Sequence, residues 1–510
     1  MSDVGPFGLI VALVGLAIAV AVLSNRLSER VRVPAPAFFL IGAALASDLV
    51  PALSHTPVLT VQRVVTVALI PILFDGGMHI GWRRFHTAAG AIAWIGVAGT
   101  LVTAGAVALL AHLLFGLGWL TAMLLGTALA PTDPAVVFSV LGKREISGRS
   151  GLILEGESGA NDPVGIALMV SLLGEAGTTG WYAVGHGVLV FLEQIAIGTA
   201  VGVVGGFLLL QFMRRVPLPS EGLYPLRTFA SALALYGLAT VAHGSGFLAV
   251  FLAGILVGDA HAPYKTEITR FHSALASLAE IVAFVGLGLT IQLHRLNDGA
   301  AALVGLVLAV LLALVVRPVL VGLLSLAIRL RTGERAFVLW AGLKGAVPIL
   351  LGTYLFTARI ADASRIYDII FVVVAFSVIV QGGLVPAAAR RLGVPMRILE
   401  PEPWSLGLRF RHRPHGIHRY TVAAGSVADG ATIADLPLGE QAWVSLVSRD
   451  GQLVQVRGDT RLHAGDEVLV LADADGTGTD GGAPAGLFTP PGRLDAPGRR
   501  APEGHTPADS

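Results

Sequence analysis

No cysteine occurs in the 510 residues, which excludes disulfides, thiolate nucleophiles and cysteine-based metal sites. Charge is scarce as well: Asp, Glu, Lys and Arg make up 14% of the chain, and only three residues are lysine. Acids and bases nearly cancel, at a formal net charge of +1, so no nucleic-acid partner is expected. No cofactor is implied. What fills the chain is apolar: 54% of residues are hydrophobic and mean hydropathy is +0.74, more than an ordinary soluble domain carries.

Apolar stretches of about 17–25 residues, long enough to cross a ~30 Å hydrocarbon core, recur from Phe7 to Pro386. The first has no basic run before it and no small-residue cleavage pattern after it, so it reads as a retained span. Thirteen spans are expected, with cores Phe7–Leu23, Ala35–Leu53, Thr60–Met78, Ala88–Leu114, Trp119–Val140, Leu152–Leu173, Gly185–Met213, Leu223–Ala242, Phe247–Gly258, Ser273–Ile291, Ala300–Ile328, Ala336–Phe356 and Ile366–Pro386. Loops after odd-numbered spans carry fifteen Lys and Arg, among them Arg83, Arg84, Lys143, Arg214, Arg215 and Arg331. Loops after even-numbered spans carry three: Arg295, Arg359 and Arg365. The positive-inside rule then puts the N-terminus outside a plasma (inner) membrane and the C-terminal region in the cytoplasm.

Composition changes near Glu400. A membrane domain is expected over 1–398, a small cytoplasmic α/β domain over 399–475 and a disordered tail over 476–510. In the small domain, Trp443–Val447 and Leu453–Val456 alternate as strands around the turn signal Arg449-Asp450-Gly451, and Glu467–Leu471 gives a third strand. The tail is rich in Gly, Pro, Thr and Asp and offers little to bury.

Two spans cannot be continuous helices. Span 5 contains Ala130-Pro131-Thr132-Asp133-Pro134, where two prolines remove backbone donors. Span 12 contains Gly342-Leu343-Lys344-Gly345-Ala346-Val347-Pro348. Unwound backbone at membrane depth is tolerated only where protein or a cavity surrounds it. The breaks lie seven spans apart, an odd offset that gives the two spans opposite directions. An inverted repeat does this, with spans 1–6 related to spans 8–13 and span 7 as the link. The expected fold is thus an all-α polytopic membrane protein. Packing alone could explain one proline kink, but each break also holds a charge, Asp133 or Lys344.

Span 6 is interrupted by polar residues: Glu155-Gly156-Glu157-Ser158-Gly159-Ala160-Asn161-Asp162-Pro163. Ionisable groups in a bilayer cost roughly 2.5–3.5 kcal/mol each and are usually functional. A carboxylate kept from water gains by taking up a proton or a monovalent cation, and Asp162 is the favoured carrier. Ser158 lies four residues earlier, on the same helix face, and with Thr132 offers oxygens to replace the ion's water. Asn161 adds a dipole without a second charge. Glu157 faces elsewhere, and an ion pair between Glu157 and Lys344 is expected to hold spans 6 and 12 together. Asp75, ending span 3, is either a ligand at the ion entrance or an interfacial residue. Arg317, before Pro318 in span 11, is expected to satisfy broken-helix carbonyls or a carboxylate. Glu193 and Glu280 are weaker candidates of the same kind, and His243 reads as a loop residue.

Other functions remain open on these residues. Gly156-Glu157-Ser158-Gly159 fits the short G-x-S-G pattern of an intramembrane serine protease, and Asp133 with Asp162 could pair as in a membrane aspartyl protease. Neither explains two opposed breaks. A cation channel is a further alternative, but no carbonyl-filter sequence is present.

The polar run, together with Leu73-Phe74-Asp75-Gly76-Gly77, Pro131-Thr132-Asp133-Pro134-Ala135 and Gly342–Pro348, resembles the NhaP-type branch of the monovalent cation:proton antiporters, and within it the potassium/proton antiporters of the CvrA kind. The resemblance implies a homodimer that exchanges K+ or Na+ for H+ by alternating access. It implies a moving core of spans 4–6 and 11–13, with the remaining spans as dimer scaffold. It further implies that Asp162 carries the ion, that Asp133, Thr132 and Ser158 help, that Asp75 occupies the acidic position of span 3, and that an Asn-Asp pair goes with electroneutral exchange. Lys344 departs from the arginine usual in that family. Leu462–Val470 resembles the TrkA C-terminal regulatory module, which implies a small-molecule regulator and, by association, potassium.

Overall fold

The computed structural model describes residues 8, 15, 19, 22–23, 33–50, 53, 56–141, 144–146, 148–175, 181–260, 262–398, 417–438, 442–472 and 485–488. Most of span 1, Lys143 and most of the expected tail lie outside the described residues. The chain forms two compact units, Met1–Pro403 and Trp404–Ser510.

The first unit is mostly helical. Span 2 is the helix Ala35–Leu49. Spans 3 and 4 form one helical run, Val58–Phe115, bent at Gly81, where φ is 67°. Only glycine takes that conformation cheaply. The Arg83 N–H beyond the bend donates to Asp259 Oδ2 at 2.5 Å, so a carboxylate from the end of span 9 closes the first turn after it. Span 6 is continuous over Arg149–Gly174 despite Pro163, span 7 covers Trp181–Arg215 and span 8 Leu223–Val241. Span 9 is short, Gly246–Gly258, and span 10 is Lys265–Leu289. Spans 3 and 9 pack with almost no side chain between them: a Cβ at Gly77 would strike the Phe251 carbonyl, and one at Gly254 the Phe74 carbonyl.

Span 11, Ala300–Ser325, widens to a π-helix over Leu312–Val321, around Pro318. Proline offers no N–H, and the wider turn absorbs the missing bond. Both expected breaks are present. Span 5 divides into Trp119–Leu129 and Pro134–Leu141, and span 12 into Thr332–Trp340 and Ala346–Thr357. Span 13 is helical over Ala363–Gln381. An unexpected two-stranded ladder joins the ends of spans 5 and 13: β1 (Arg144–Ile146) runs antiparallel to β2 (Met396–Ile398).

The second unit is a four-stranded antiparallel sheet in the order β3-β6-β4-β5. The three expected strands appear as β4 (Ala442–Arg449), β5 (Gln452–Val454) and β6 (Glu467–Ala472), with Asp450 and Gly451 both at positive φ in the turn. β3 (Ile417–Thr421) was not expected as a strand. Among the described residues the helical pieces of this unit are single turns, Ile433–Asp435 and Ala485–Phe488. The second of these corrects one expectation, since it lies in the expected disordered tail. Phe488 is 1% exposed and its ring stacks on Tyr420 at 4.8 Å. The Ala423 and Ala428 N–H groups donate to the carbonyls of Phe488 and Leu487. A core this small has few large apolar side chains, and the tail supplies one.

Candidate functional site

Where spans 5 and 12 unwind, they meet. The Asp133 N–H donates to the Leu343 carbonyl at 2.8 Å, so each broken span supplies a partner to the other. Each unwound stretch exposes a helix N-terminus with free N–H groups and a helix C-terminus with free carbonyls. Asp133 serves the positive ends. Its Oδ1 accepts the Ala135 N–H at 2.9 Å, and its carboxylate also faces the N–H groups of Val136 and, from span 12, Ala346. Gly345 lies hard against this carboxylate, where a Cβ would overlap it.

Two cations serve the carbonyl ends. Lys344 Nζ donates to the carbonyls of Ala130 (2.9 Å) and Pro131 (3.0 Å), closing the first half of span 5. Arg317 Nε donates to Leu339 O at 2.9 Å and Nη2 to Val338 O at 3.3 Å, closing the first half of span 12. The same Nη2 donates to Glu157 Oε1 at 2.7 Å, in an almost inaccessible pair. The expected Glu157–Lys344 pair is therefore corrected: Glu157 answers Arg317, and Lys344 spends its donors on carbonyls. The reason is geometric. A guanidinium fork reaches a carboxylate and two carbonyls at once, whereas the ammonium of Lys344 already sits over two carbonyls of span 5.

Span 6 crosses beside the junction. Ser158 Oγ donates to Thr132 O at 2.6 Å, Asn161 Nδ2 donates to Thr132 Oγ1 at 2.7 Å, and the Thr132 N–H donates to Asn161 Oδ1 at 3.3 Å. Helix and unwound strand are thereby laced together. Close approach is helped by Gly165, where a Cβ would strike Pro131. Asp162 is left over. It is 8% exposed, and its Oδ1 is buried with no hydrogen-bond donor among the described residues. Its charged neighbours are Asp133 and Lys344. A buried carboxylate oxygen without a donor is costly, so this oxygen is where a proton or a cation would be gained.

Asp75 is not bonded to this cluster. Its Oδ1 accepts from Ser273 Oγ of span 10 at 3.0 Å, and His79 Nδ1 lies 3.3 Å from its Oδ2. Glu193 is exposed and His243 sits in a loop at φ 63°.

Several contributors escaped the sequence reading. Ser273 is one. Ser377 is another: its hydroxyl accepts the Lys344 N–H at 2.9 Å and donates to Gln381 Oε1, while Gln381 Nε2 donates to Trp340 O. The available signal was two polar residues four apart in the apolar second half of span 13. His272, fully buried, bonds Thr228 Oγ1 through Nε2 at 2.8 Å, and its Nδ1 has no partner among the described residues.

Comparison with known proteins agrees along most of the chain. The family described as sodium/hydrogen exchanger, transmembrane, matches residues 11–391, and the TrkA-C domain matches residues 417–479. The chain is 32% identical over 471 residues to the K(+)/H(+) antiporter NhaP of Alkalimonas amylolytica, covering 91% of this chain and 81% of that protein. It is 30% identical to the K(+)/H(+) antiporter NhaP2 of Shewanella sp. (strain ANA-3), over 92% and 82%. Identity to the Na(+)/H(+) antiporter NhaH of Halobacillus dabanensis is 27%, over 76% and 97%. The solved structure of the sodium proton antiporter MjNhaP1 from Methanocaldococcus jannaschii superposes with a TM-score of 0.63 at 20% identity, over 74% of this chain and 99% of that one, a likeness of fold.

Proposed function

The chain belongs to the sodium/hydrogen exchanger family and is a multi-pass membrane antiporter of cations and protons, not an enzyme; from that premise we propose that Asp162 is the carrier for both. The observation that carries this reading is its buried Oδ1, which has no donor among the described residues, beside the junction of two broken spans. One carboxylate holds a proton or a monovalent cation, never both, and this exclusion couples the two flows. The Ser158 and Thr132 oxygens stand in for the ion's water, and Asn161 fixes Thr132 in place. Asp133 acts from one step back, by holding both half-helix N-termini.

Potassium is the favoured cation. Two relatives that cover most of the chain are named for K(+)/H(+) exchange, and the TrkA-C match points the same way. Sodium is the second reading, favoured by the Na(+)/H(+) relative NhaH. The protein works as a homodimer in the plasma membrane, with the N-terminus outside and the sheet domain in the cytoplasm. The fifteen basic residues in loops after odd spans support this orientation. Spans 4–6 and 11–13 move against the remaining spans, and the sheet domain takes a small-molecule regulator. Dissipation of a pH gradient in proteoliposomes, compared in K+, Na+ and Li+, tests the reading. Asp162→Asn is expected to abolish exchange while the protein still inserts and dimerises; exchange retained by that variant would overturn it.

A further inference from the structure

The chain leaves span 13 through a short helix, Val385–Arg391, which packs on the second half of span 5 and on the first half of span 12. Val385 and Ala389 are its buried residues. Gly393 ends it at φ 63°, and the Val394 N–H donates back to the Ala389 carbonyl at 3.1 Å, a helix stop that glycine makes cheaply. The residues that follow are held on both sides. Leu392 lies so close to span 12 that a Cβ at Gly333 would strike its carbonyl. β2 then pairs with β1 in the register Arg144↔Ile398, Glu145↔Arg397 and Ile146↔Met396. β1 is itself seated on span 6: Ile146 is buried, and a Cβ at Gly151 would strike its carbonyl. Met396 packs against the same apolar core.

One segment, Val385–Ile398, thus touches both broken spans and, through β1, the start of the span that carries Asp162. The same segment runs on through residues 399–416 into β3, so the covalent root of the sheet domain lies on the helices of the transport junction. The last link is weak by design of its length. A two-stranded ladder is marginal by itself, and this one has three residue pairs. A small change at one end decides whether it is made, which is what a two-state coupling element needs. On the reading of the sheet domain as regulatory, on which this inference rests, we propose that the β1–β2 ladder is the strap through which the sheet domain acts on exchange. While the sheet is in its folded state, β2 stays on β1 and holds the end of span 5 and the start of span 6 in place. When the sheet changes state, β2 peels away and those ends are released.

The test uses the full-length protein in proteoliposomes, with dissipation of a pH gradient in K+ as the readout. The chain has no cysteine, so Glu145→Cys with Arg397→Cys creates the one disulfide it can form. Directly opposed strand residues lie about 4.5–5.5 Å apart at Cα, within disulfide reach. Val468→Asp puts a charge into the fully buried core of the sheet and should unfold that domain, which hydrogen exchange on peptides from 417–472 verifies. It is expected to shift the exchange rate on the order of fivefold or more. With the cysteine pair oxidised, the same Val468→Asp shift should vanish, and reductant should bring it back. Oxidation alone should leave exchange at the wild-type rate. Met396→Gly, Arg397→Gly and Ile398→Gly together loosen the strap without touching the sheet, and should reproduce the Val468→Asp shift. A cysteine pair that does not oxidise in the membrane, exchange lost on oxidation alone, or wild-type exchange in the triple-glycine variant overturns the proposal. A Val468→Asp shift that persists with the ladder locked means that the sheet regulates by another route and only the strap has failed. Wild-type exchange in Val468→Asp means that the regulatory reading itself has failed, and the strap with it.

Discussion

Arg317 Nη2 lies 2.7 Å from Glu157 Oε1, with the two side chains 5% and 4% exposed, and the same guanidinium closes the carbonyl end of the first half of span 12. One side chain thus holds span 11 to span 6 and to the break in span 12. Removing one partner of a buried pair leaves the other charge bare, at a cost of about 3–5 kcal/mol. Arg317→Ala should therefore lower the melting temperature of the detergent-solubilised protein sharply. Arg317→Lys should rescue it only in part, because an ammonium lacks the planar fork. A wild-type melting curve for Arg317→Ala would count against this account.

Lys344 does a different job, and a different variant exposes it. Lys344→Met keeps the length of the stem and loses the two bonds to the Ala130 and Pro131 carbonyls. Hydrogen bonds to charged groups contribute about 1.5–3 kcal/mol, so a smaller loss than that of Arg317→Ala is expected. Glu157→Gln combined with Lys344→Met should give an additive loss of stability if the two do not pair, and a strongly sub-additive one if they do. Thermal unfolding of the two single variants and the double variant decides between these.

Much of this architecture is legible in the sequence. Pro131, Pro134, Gly345 and Pro348 announce the two breaks because proline and glycine act on the backbone locally. Asp162 announces itself because a carboxylate inside an apolar run is expensive wherever it points. Pairing was not legible. Whether Glu157 meets Arg317 or Lys344 depends on how spans 6, 11 and 12 are disposed, and all three side chains suit either answer by chemistry alone. Ser273 and Ser377 were missed for a related reason: a lone serine in a membrane helix ordinarily bonds its own backbone, as Ser277 does to Ser273 O. Phe488 was missed because a tail of low apolar content hid one large residue.

The junction tolerates no side chain at its glycines. A Cβ at Gly345 would overlap the Asp133 carboxylate, and one at Gly342 the Arg317 guanidinium. Gly345→Ala and Gly342→Ala should each cost about 1–3 kcal/mol as overpacking and should lower exchange by displacing the caps. Gly105→Ala, where nothing lies within 4 Å of the new methyl, should be neutral or slightly stabilising. Exchange rates and melting temperatures for the three variants give the comparison, and equal behaviour would remove steric exclusion as the reason for these glycines.

Ser273 is expected to matter for the ion rather than for the fold. Its hydroxyl donates to Asp75 Oδ1 at 3.0 Å. Ser273→Ala leaves that oxygen to His79 or to water, and should raise the cation KM a few-fold with maximal rate preserved, in the manner of a lost single hydrogen bond of about 0.5–1.5 kcal/mol. Asp75→Asn should raise KM further. A Ser273→Ala protein with unchanged KM and reduced melting temperature would make Ser273 a packing residue.

The sheet domain carries a pH dependence whose sign follows from one carboxylate. The Asp466 side chain is 1% exposed, and burial by itself pushes its carboxyl upward. Hydrogen bonds outweigh that: Arg449 Nε and Nη2 each donate to it at 2.8 Å, and the His463 N–H donates at 2.9 Å. The net result holds the carboxyl below the usual range. In the unfolded chain an Asp titrates at about 3.9. With the folded value lower, the stabilisation is fully present above about pH 4 and is lost as pH falls through the folded value. Changes near neutrality should therefore leave the sheet intact, and only strong acid should open it through this group. Arg449→Ala takes away two of the three donors, so burial regains the upper hand and acid opening begins at a higher pH. Pulsed hydrogen exchange on peptides from 417–472 of the full-length protein, after equilibration at each pH, reads this directly. An Arg449→Ala protein with the wild-type acid midpoint would mean that the ion pair does not set the acid stability of the domain.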